Sequence, residues 1–382
     1  MTTVGLPNST FLVQICARKV EFDYDASRML YERKDFIQFS VDAGRVIANL
    51  EMAYMQWLEA QQAYLELPAT MFWQSKSGTD YLAYKDVAGQ PGTTLGVRSP
   101  ETESRLQEFT NSRTELKKRI HAADQLMRER AAQYRALRLP VLPDRQGEIL
   151  RKLDSQRLLR NDLLVVGTNA FAAYELACNA RFPVGNEETE DFDLAWCRDT
   201  RISLATIAPT QARLERPSLF SLLHGIDNSF KINPKKRCQA VNKDGYEVEL
   251  LAAPSTHPLP GDESFDPMAS LVEQEWLLLG NPISCVSATL RGRACPLFVP
   301  DPRWMALHKL WLSQKTDRNP VKKPKDERQG NVLLDATRYF LADTYPLDMD
   351  FVIGLPEELQ SLFNEWASSR GFDPSSVGEA WR

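Results

Sequence analysis

Leu163-Leu-Val-Val-Gly-Thr-Asn-Ala-Phe-Ala-Ala-Tyr174, followed by Thr189-Glu-Asp-Phe-Asp-Leu194, decides the fold. An apolar run reads as a strand, Gly167-Thr168 as the turn that ends it, and the Ala-rich continuation as a helix. A second apolar run then carries Asp191 and Asp193, one residue apart. Alternation along a strand puts both carboxylates on one face, roughly 6–7 Å apart at the backbone. That suits two side chains converging on metal ions about 3.5–4 Å apart. Mg²⁺ takes hard oxygen ligands and keeps substrate phosphates in its shell. Free backbone N–H groups at Gly167, Thr168 and Asn169, at the start of a helix, can hold a phosphate. Either feature alone is weak: an isolated Asp-x-Asp is more often a solvated acidic pair, and Gly-Thr more often a plain turn. Together, in this order, they point to a nucleoside triphosphate held with Mg²⁺.

A third carboxylate is expected from a neighbouring strand. Gly245-Tyr-Glu-Val-Glu-Leu-Leu251 offers Glu247 and Glu249 on one face, opposite Tyr246, Val248 and Leu250. Glu249 lies deeper in the apolar run and is the stronger candidate, with Glu247 the alternative.

The rest of the chain supplies context. Its 382 residues suffice for two or three regions with cores of their own. With 46 Lys+Arg against 51 Asp+Glu, the molecule as a whole is not a basic nucleic-acid coat. The six cysteines form no C-x-x-C pair and the four histidines no zinc-ligand spacing. The N-terminus does not read as a signal peptide, and no apolar run is long enough for a membrane span. The expectation is a cytoplasmic protein with reduced thiols.

Helices are predicted over about 35–67 and 99–137, the second opened by Ser99-Pro-Glu-Thr-Glu103 with serine as N-cap. A small hairpin is predicted between 71 and 97, and a linker at Leu139–Gly147. Strands are predicted at 162–167, 191–197, 246–252, 285–290 and 295–299, with a helix after Gly167 to about 181. Further helices are predicted at 302–315, 325–343 and 356–369. The organisation implied is a mainly helical region with a small β element over 1–140, an α/β core over 148–300, and a helical region over 301–382. Trp304, Trp311, Tyr339 and Phe340 read as core aromatics rather than base-stacking platforms.

The Gly-Thr turn, the Asp-x-Asp pair and the further acid resemble the DNA polymerase β-like nucleotidyltransferase superfamily. With Leu95-Gly-Val-Arg-Ser-Pro-Glu-Thr-Glu103 and Arg135-Ala-Leu-Arg138, the chain is similar over about residues 70–345 to a bacterial group of that fold. His308-Lys-Leu-Trp-Leu312, Arg318 and Lys325-Asp326 resemble a Lys-Leu…Arg…Lys-Asp pattern of the abortive-infection and toxin–antitoxin nucleotidyltransferases. By itself that pattern would be an ordinary helix surface. The resemblance implies an α+β fold: a polymerase β-like core of mixed sheet and flanking helices, with helical N-terminal and C-terminal regions, the last completing the site. It implies two Mg²⁺ ions on Asp191, Asp193 and Glu249, an NTP on Gly167, Thr168, Asn169 and Lys325, and active-site roles for Lys309 and Asp326. Lys309 would neutralise triphosphate charge; Asp326 would orient a partner or act as base. Glu249 departs from the superfamily, which usually has Asp there. The implied reaction moves a nucleotide from an NTP to an acceptor and releases pyrophosphate.

Two basic clusters, Lys231, Lys235, Lys236, Arg237 and Lys243, then Lys315, Arg318, Lys322, Lys323, Lys325 and Arg328, flank these residues. With the basic helix 99–137 they suggest a polyanionic acceptor such as tRNA. Toxin-like or defence use, with a cognate antitoxin as partner, is a further expectation. A protein or small-molecule acceptor, or a catalytically silent module of the same fold, are the alternatives.

Overall fold

A computed structural model of the chain describes residues 30–86, 89, 91–160, 162–183, 201–206, 218–255 and 272–377. After β1 (Ile37–Gln38) comes α1 (Ala43–Glu66), whose Leu50, Ala53, Tyr54 and Leu58 are buried along one face. Strands β2 (Thr70–Lys76), β3 (Thr79–Lys85) and β4 (Thr93–Val97) form an antiparallel meander, one strand more than the expected hairpin. Ser77 and Gly78, both at positive φ (51° and 80°), make the two-residue turn whose twist matches the strands it joins. α2 (Pro100–Ala136) starts as predicted: the Ser99 side chain accepts from the Thr102 N–H and the Thr102 hydroxyl from the Ser99 N–H.

The segment read as a linker belongs to the packed structure. β5 (Val141–Leu142) pairs in parallel with a later strand, Leu139 and Leu142 are buried, and α3 (Asp144–Ser155) follows at once. The prolines Pro140 and Pro143 that suggested a break flank this short strand, where their missing N–H groups cost little. β6 (Leu163–Val166) is fully buried; after it Gly167–Ala170 form a 3₁₀ turn that runs into α4 (Phe171–Ala177). The helix stops short of the predicted residue 181. Asn179 turns left-handed at φ 50°, a conformation asparagine tolerates at helix ends. β7 (Ala180–Arg181) then pairs with β1, and the Phe182 N–H donates to buried Glu175.

The expected strand 191–197, and with it Asp191, Asp193 and Cys197, lies outside the described residues. The strand beside β6 is β8 (Arg201–Thr206), which the sequence reading missed. Helix α5 (Leu219–Ile226) and strands β9 (Lys231–Ile232), β10 (Gln239–Val241) and β11 (Glu247–Leu251) follow. Together these strands make a mixed sheet in the order β6-β8-β11-β10-β9, with β8 and β11 parallel and the other pairs antiparallel. β12 (Ile283–Thr289) and β13 (Ala294–Val299) complete the sheet begun by β5. The chain continues through α6 (Pro302–Gln314), α7 (Lys323–Phe340), α8 (Met349–Ile353) and α9 (Glu357–Ser369); α6, α7 and α9 lie close to the predicted helices, and the five-residue α8 was not predicted. This is a mixed α+β architecture, as expected. Among the described residues, no helix is long and apolar enough to cross a membrane.

Two apolar clusters hold it. One joins α1, α2 and β12 through Leu50, Tyr54, Met127, Tyr134 and Val286. The larger packs α3, α4 and β6 with α6, α7 and α9. Trp304 is buried there, while Trp311, Tyr339 and Phe340 pack against it, as read from the sequence. In that core α6 and α7 approach closely at Gly330, where an added Cβ would lie 2.6 Å from Leu310 Cγ and 2.8 Å from the Ala306 carbonyl. Because one of those atoms is backbone, the contact relaxes only if the helices part. Gly330→Ala is therefore expected to destabilise the fold by about 1–3 kcal/mol, although alanine favours helix; chemical denaturation would measure it.

Candidate functional site

The register of the mixed sheet fixes the site end. Val166 faces Ser203, Ser203 faces Glu249, and Glu249 faces Gln239. β8 and β11 run antiparallel to β6, so the end of β6 that carries the Gly167-Thr168 turn is the end where β8 and β11 begin. Glu249 thus lies one residue row inside the turn and two strands away, about 10 Å at the backbone. Burial alternates along β11 as predicted: Val248 and Leu250 are buried, while Glu247 and Glu249 share the half-buried face. Gln239, itself buried, donates its side-chain amide to Glu249 Oε1 at 3.2 Å. Glu247 pairs with Arg201, two rows nearer the rim.

At the turn, Gly167 adopts φ 76°, open only to glycine at low cost, and an added Cβ would meet nothing within 4 Å among the described residues. Thr168 is half-buried and Asn169 buried. Thr168 Oγ1 accepts a hydrogen bond from Gln329 Nε2 at 3.3 Å. That bond ties the turn to α7, and α7 carries Asp326 one helical turn earlier.

Asp326 is the centre of a buried ion cluster. Lys309 Nζ on α6 lies 2.7 Å from Asp326 Oδ1, and both side chains are within 5% of full burial. Arg318, in the loop between α6 and α7, places Nε and Nη2 at 2.8 and 2.5 Å from Asp326 Oδ2. Burial by itself would raise the Asp326 carboxyl, but Lys309 and Arg318 outweigh it and hold the group ionised below the usual range. Burial pulls the Lys309 ammonium below its ordinary value, against the attraction of Asp326. Two cations on one carboxylate leave the cluster with net charge +1. They also make Asp326 a poor proton acceptor. Neither Lys309 nor Asp326 is the helix-surface residue that helical periodicity alone would suggest. Lys325, the residue before Asp326, is exposed.

Sequence reasoning missed Gln329, whose signal lay only in its spacing of three from Asp326, and it did not weigh His308. His308 is buried beside Lys309, packed against Trp276 and Trp311, and Nε2 has no hydrogen-bond partner among the described residues. Burial, then the Lys309 charge, pulls it down to about 3, so the ring is neutral. No group of three or more His, Cys, Asp or Glu able to hold a metal occurs among the described residues. Cys178, Cys238, Cys285 and Cys295 are free thiols.

Two outcomes follow. Removing one partner strands a buried charge, so Asp326→Ala should cost about 3–5 kcal/mol in chemical denaturation. The apolar pair Lys309→Met/Asp326→Leu should recover most of that loss. Glu175, in the helix leaving the turn, is raised by burial to about 7 from 4.5, while the Phe182 N–H opposes the shift. Its native form holds a proton that the unfolded chain has lost between those values. Stability should therefore fall with rising pH across about 4.5–7, by at most about 1.4 kcal/mol per unit. Glu175→Gln should flatten that slope in pH-dependent denaturation.

Comparison with known proteins adds a family. Residues 144–350 match a family model described as Nucleotidyltransferase, from the first residue of α3 into α8, including the Gly-Thr turn, Glu249 and the ion cluster. No curated protein and no solved structure gave a significant match. The matched segment covers more than half of the 382 residues and contains each element of the site described above: the chain belongs to this nucleotidyltransferase family and is a nucleotidyltransferase enzyme.

Proposed function

We propose that the protein moves a nucleotide from an NTP to RNA, with tRNA the acceptor class, in a Mg²⁺-dependent reaction. What supports this reading most is the joining of two distant segments: the Gly167-Thr168 turn is bonded through Gln329 to the helix whose Asp326 holds Lys309 and Arg318. In this proposal residues 148–300 form the core, 301–382 complete the site, and 1–140 flank it.

Asp191, Asp193 and Glu249 are the proposed metal ligands. Their oxygen donors suit Mg²⁺. Glu249 fits further, because the Gln239 amide orients its carboxylate as outer hydrogen bonds orient metal ligands. Bound Mg²⁺ would supply charge neutralisation at the phosphates and lower the proton affinity of the attacking hydroxyl. The chain's own residues do the rest. The Gly167–Asn169 backbone N–H groups and the Thr168 hydroxyl hold the β and γ phosphates. Lys309, with Lys325 at the rim, offsets triphosphate charge, and Asp326 orients Lys309 and Arg318. The acceptor hydroxyl attacks the α-phosphorus in line, its proton passing to Glu249 or solvent water; the bond between the α-phosphorus and the bridging oxygen breaks, and pyrophosphate leaves. Positioning and charge neutralisation carry the catalytic effect.

Exposed cations support a polyanionic acceptor. Lys231, Lys235, Lys236, Arg237 and Lys243 are exposed on and between β9, β10 and β11, beside the strand of Glu249. Lys117, Lys118, Arg119 and Arg128 are exposed on α2. The toxin-like or defence role in a bacterial cytoplasm, with a cognate antitoxin, belongs to the same proposal and rests on the Lys309, Arg318, Lys325-Asp326 pattern.

The test incubates the protein with each α-³²P NTP, Mg²⁺ and total RNA. Label should enter a discrete RNA band, and neither Asp191→Ala/Asp193→Ala nor the folded Lys309→Met/Asp326→Leu variant should transfer it. Label on protein alone would overturn the RNA acceptor. RNA affinity should also fall steeply with salt. Lys235→Glu/Lys236→Glu should weaken it across sequences and reduce the slope of log affinity against log salt by about two.

A further inference from the structure

Gln329 presents a problem that packing does not solve. It is 2% exposed, in the middle of α7, and its Oε1 has no hydrogen-bond partner among the described residues. Its Nε2 has one, Thr168 Oγ1 at 3.3 Å. A buried amide with an unmet carbonyl is a net cost to folding, and a hydrophobic side chain of similar size would avoid it. The cost falls at one particular place. Gln329 is three residues after Asp326, so the two share a helix face. Through that face the amide connects the Lys309–Asp326–Arg318 cluster to the Gly167-Thr168 turn.

The direction of the bond matters. A threonine hydroxyl has one hydrogen to give and two lone pairs to receive with. The Gln329 N–H occupies a lone pair of Oγ1, so the hydroxyl hydrogen is not spent on Gln329 and turns to another acceptor. At a glycine turn in a nucleotidyltransferase, a phosphate oxygen is an acceptor of the right kind. With a valine or methionine in place of the glutamine, the hydroxyl would lose this constraint and rotate among several partners.

We propose that Gln329 is a positioning residue that fixes the Thr168 hydroxyl as a donor toward the outer phosphates of the bound NTP. It thereby sets the turn and the α6–α7 ion cluster in one fixed relation. The inference rests on the reading of Gly167-Thr168 as the phosphate-binding turn.

Titration calorimetry with each of the four NTPs, and with the corresponding nucleoside monophosphates, tests it in the presence of Mg²⁺. Gln329→Met should weaken binding of the preferred NTP about three- to tenfold, the range of one hydrogen bond, and leave monophosphate binding unchanged. The loss should persist in a Thr168→Ser background, which keeps the hydroxyl, and vanish in Thr168→Val, which lacks it. Thermal denaturation of each variant checks the fold. If Gln329→Met does not fold, Gln329→Asn keeps the amide but withdraws it from Thr168, and the same loss is expected. An equal loss in the Thr168→Val background, or an equal loss for monophosphates, would overturn the inference and make Gln329 a packing residue. If Thr168→Val itself leaves NTP affinity unaltered, the turn does not hold phosphate, and that reading fails rather than the geometry of Gln329 alone.

Discussion

The buried ion cluster between α6 and α7 is the constraint on which the rest of the site depends. A lysine ammonium at Lys309's depth cannot stay charged without a partner held at hydrogen-bonding distance. Asp326 supplies it only because two further conditions hold. The absence of a side chain at Gly330 lets α6 and α7 touch, and Arg318 takes the second carboxylate oxygen. Asp326 also lies in the first turn of α7, where the helix dipole favours a negative charge. The Gly-Thr turn is then fixed against this assembly through Gln329. One hydrogen bond thus joins the helix contact to a turn 161 residues earlier in the chain.

The sheet sets the second half of the site by direction rather than by contact. β6 must run against β8 and β11 for the turn after Val166 to share an end with the first residues of β11. A parallel β6 would put Glu249 and the turn at opposite ends. Given this arrangement, the period of two along β11 decides which side chains face the site. A one-residue slip would turn Glu247 and Glu249 away and bring Val248 into their place. The Gln239 amide on Glu249 works against such a slip, because it pairs only in this register.

Much of this was legible in the sequence, and the reasons differ by element. The long apolar and capped segments read correctly: Ser99-Pro100 opens α2, Leu163–Val166 is a buried strand, and α6, α7 and α9 fall close to where periodicity puts them. Short strands were missed. Val141–Leu142, Lys231–Ile232 and Gln239–Val241 are two or three residues long, too short to show a period, and exist because a neighbouring strand offers hydrogen bonds. The prolines around Val141–Leu142 spoke for a linker, although a strand of this length tolerates them at both ends. The site split in the same way. Glu249 followed from alternation within one strand. The burial of Lys309 and Asp326 did not, because it arises where two helices meet, and Gln329 carried no signal beyond its spacing of three from Asp326.

The arrangement separates two electrostatic regimes in one molecule of net charge −5. Lys309 and Asp326 act in a medium of low polarity, where charges interact strongly and salt screens them little. The cations on α2 and around β9–β11 are exposed, so their attraction for a polyanion is long-ranged but falls as ionic strength rises. The cluster's net charge of +1 is modest. Burial pulls the Lys309 ammonium down, Asp326 at 2.7 Å opposes that pull, and the Arg318 charge adds to it. Asp326 thus opposes loss of the lysine's proton, and, held by two cations, it is itself a poor proton acceptor.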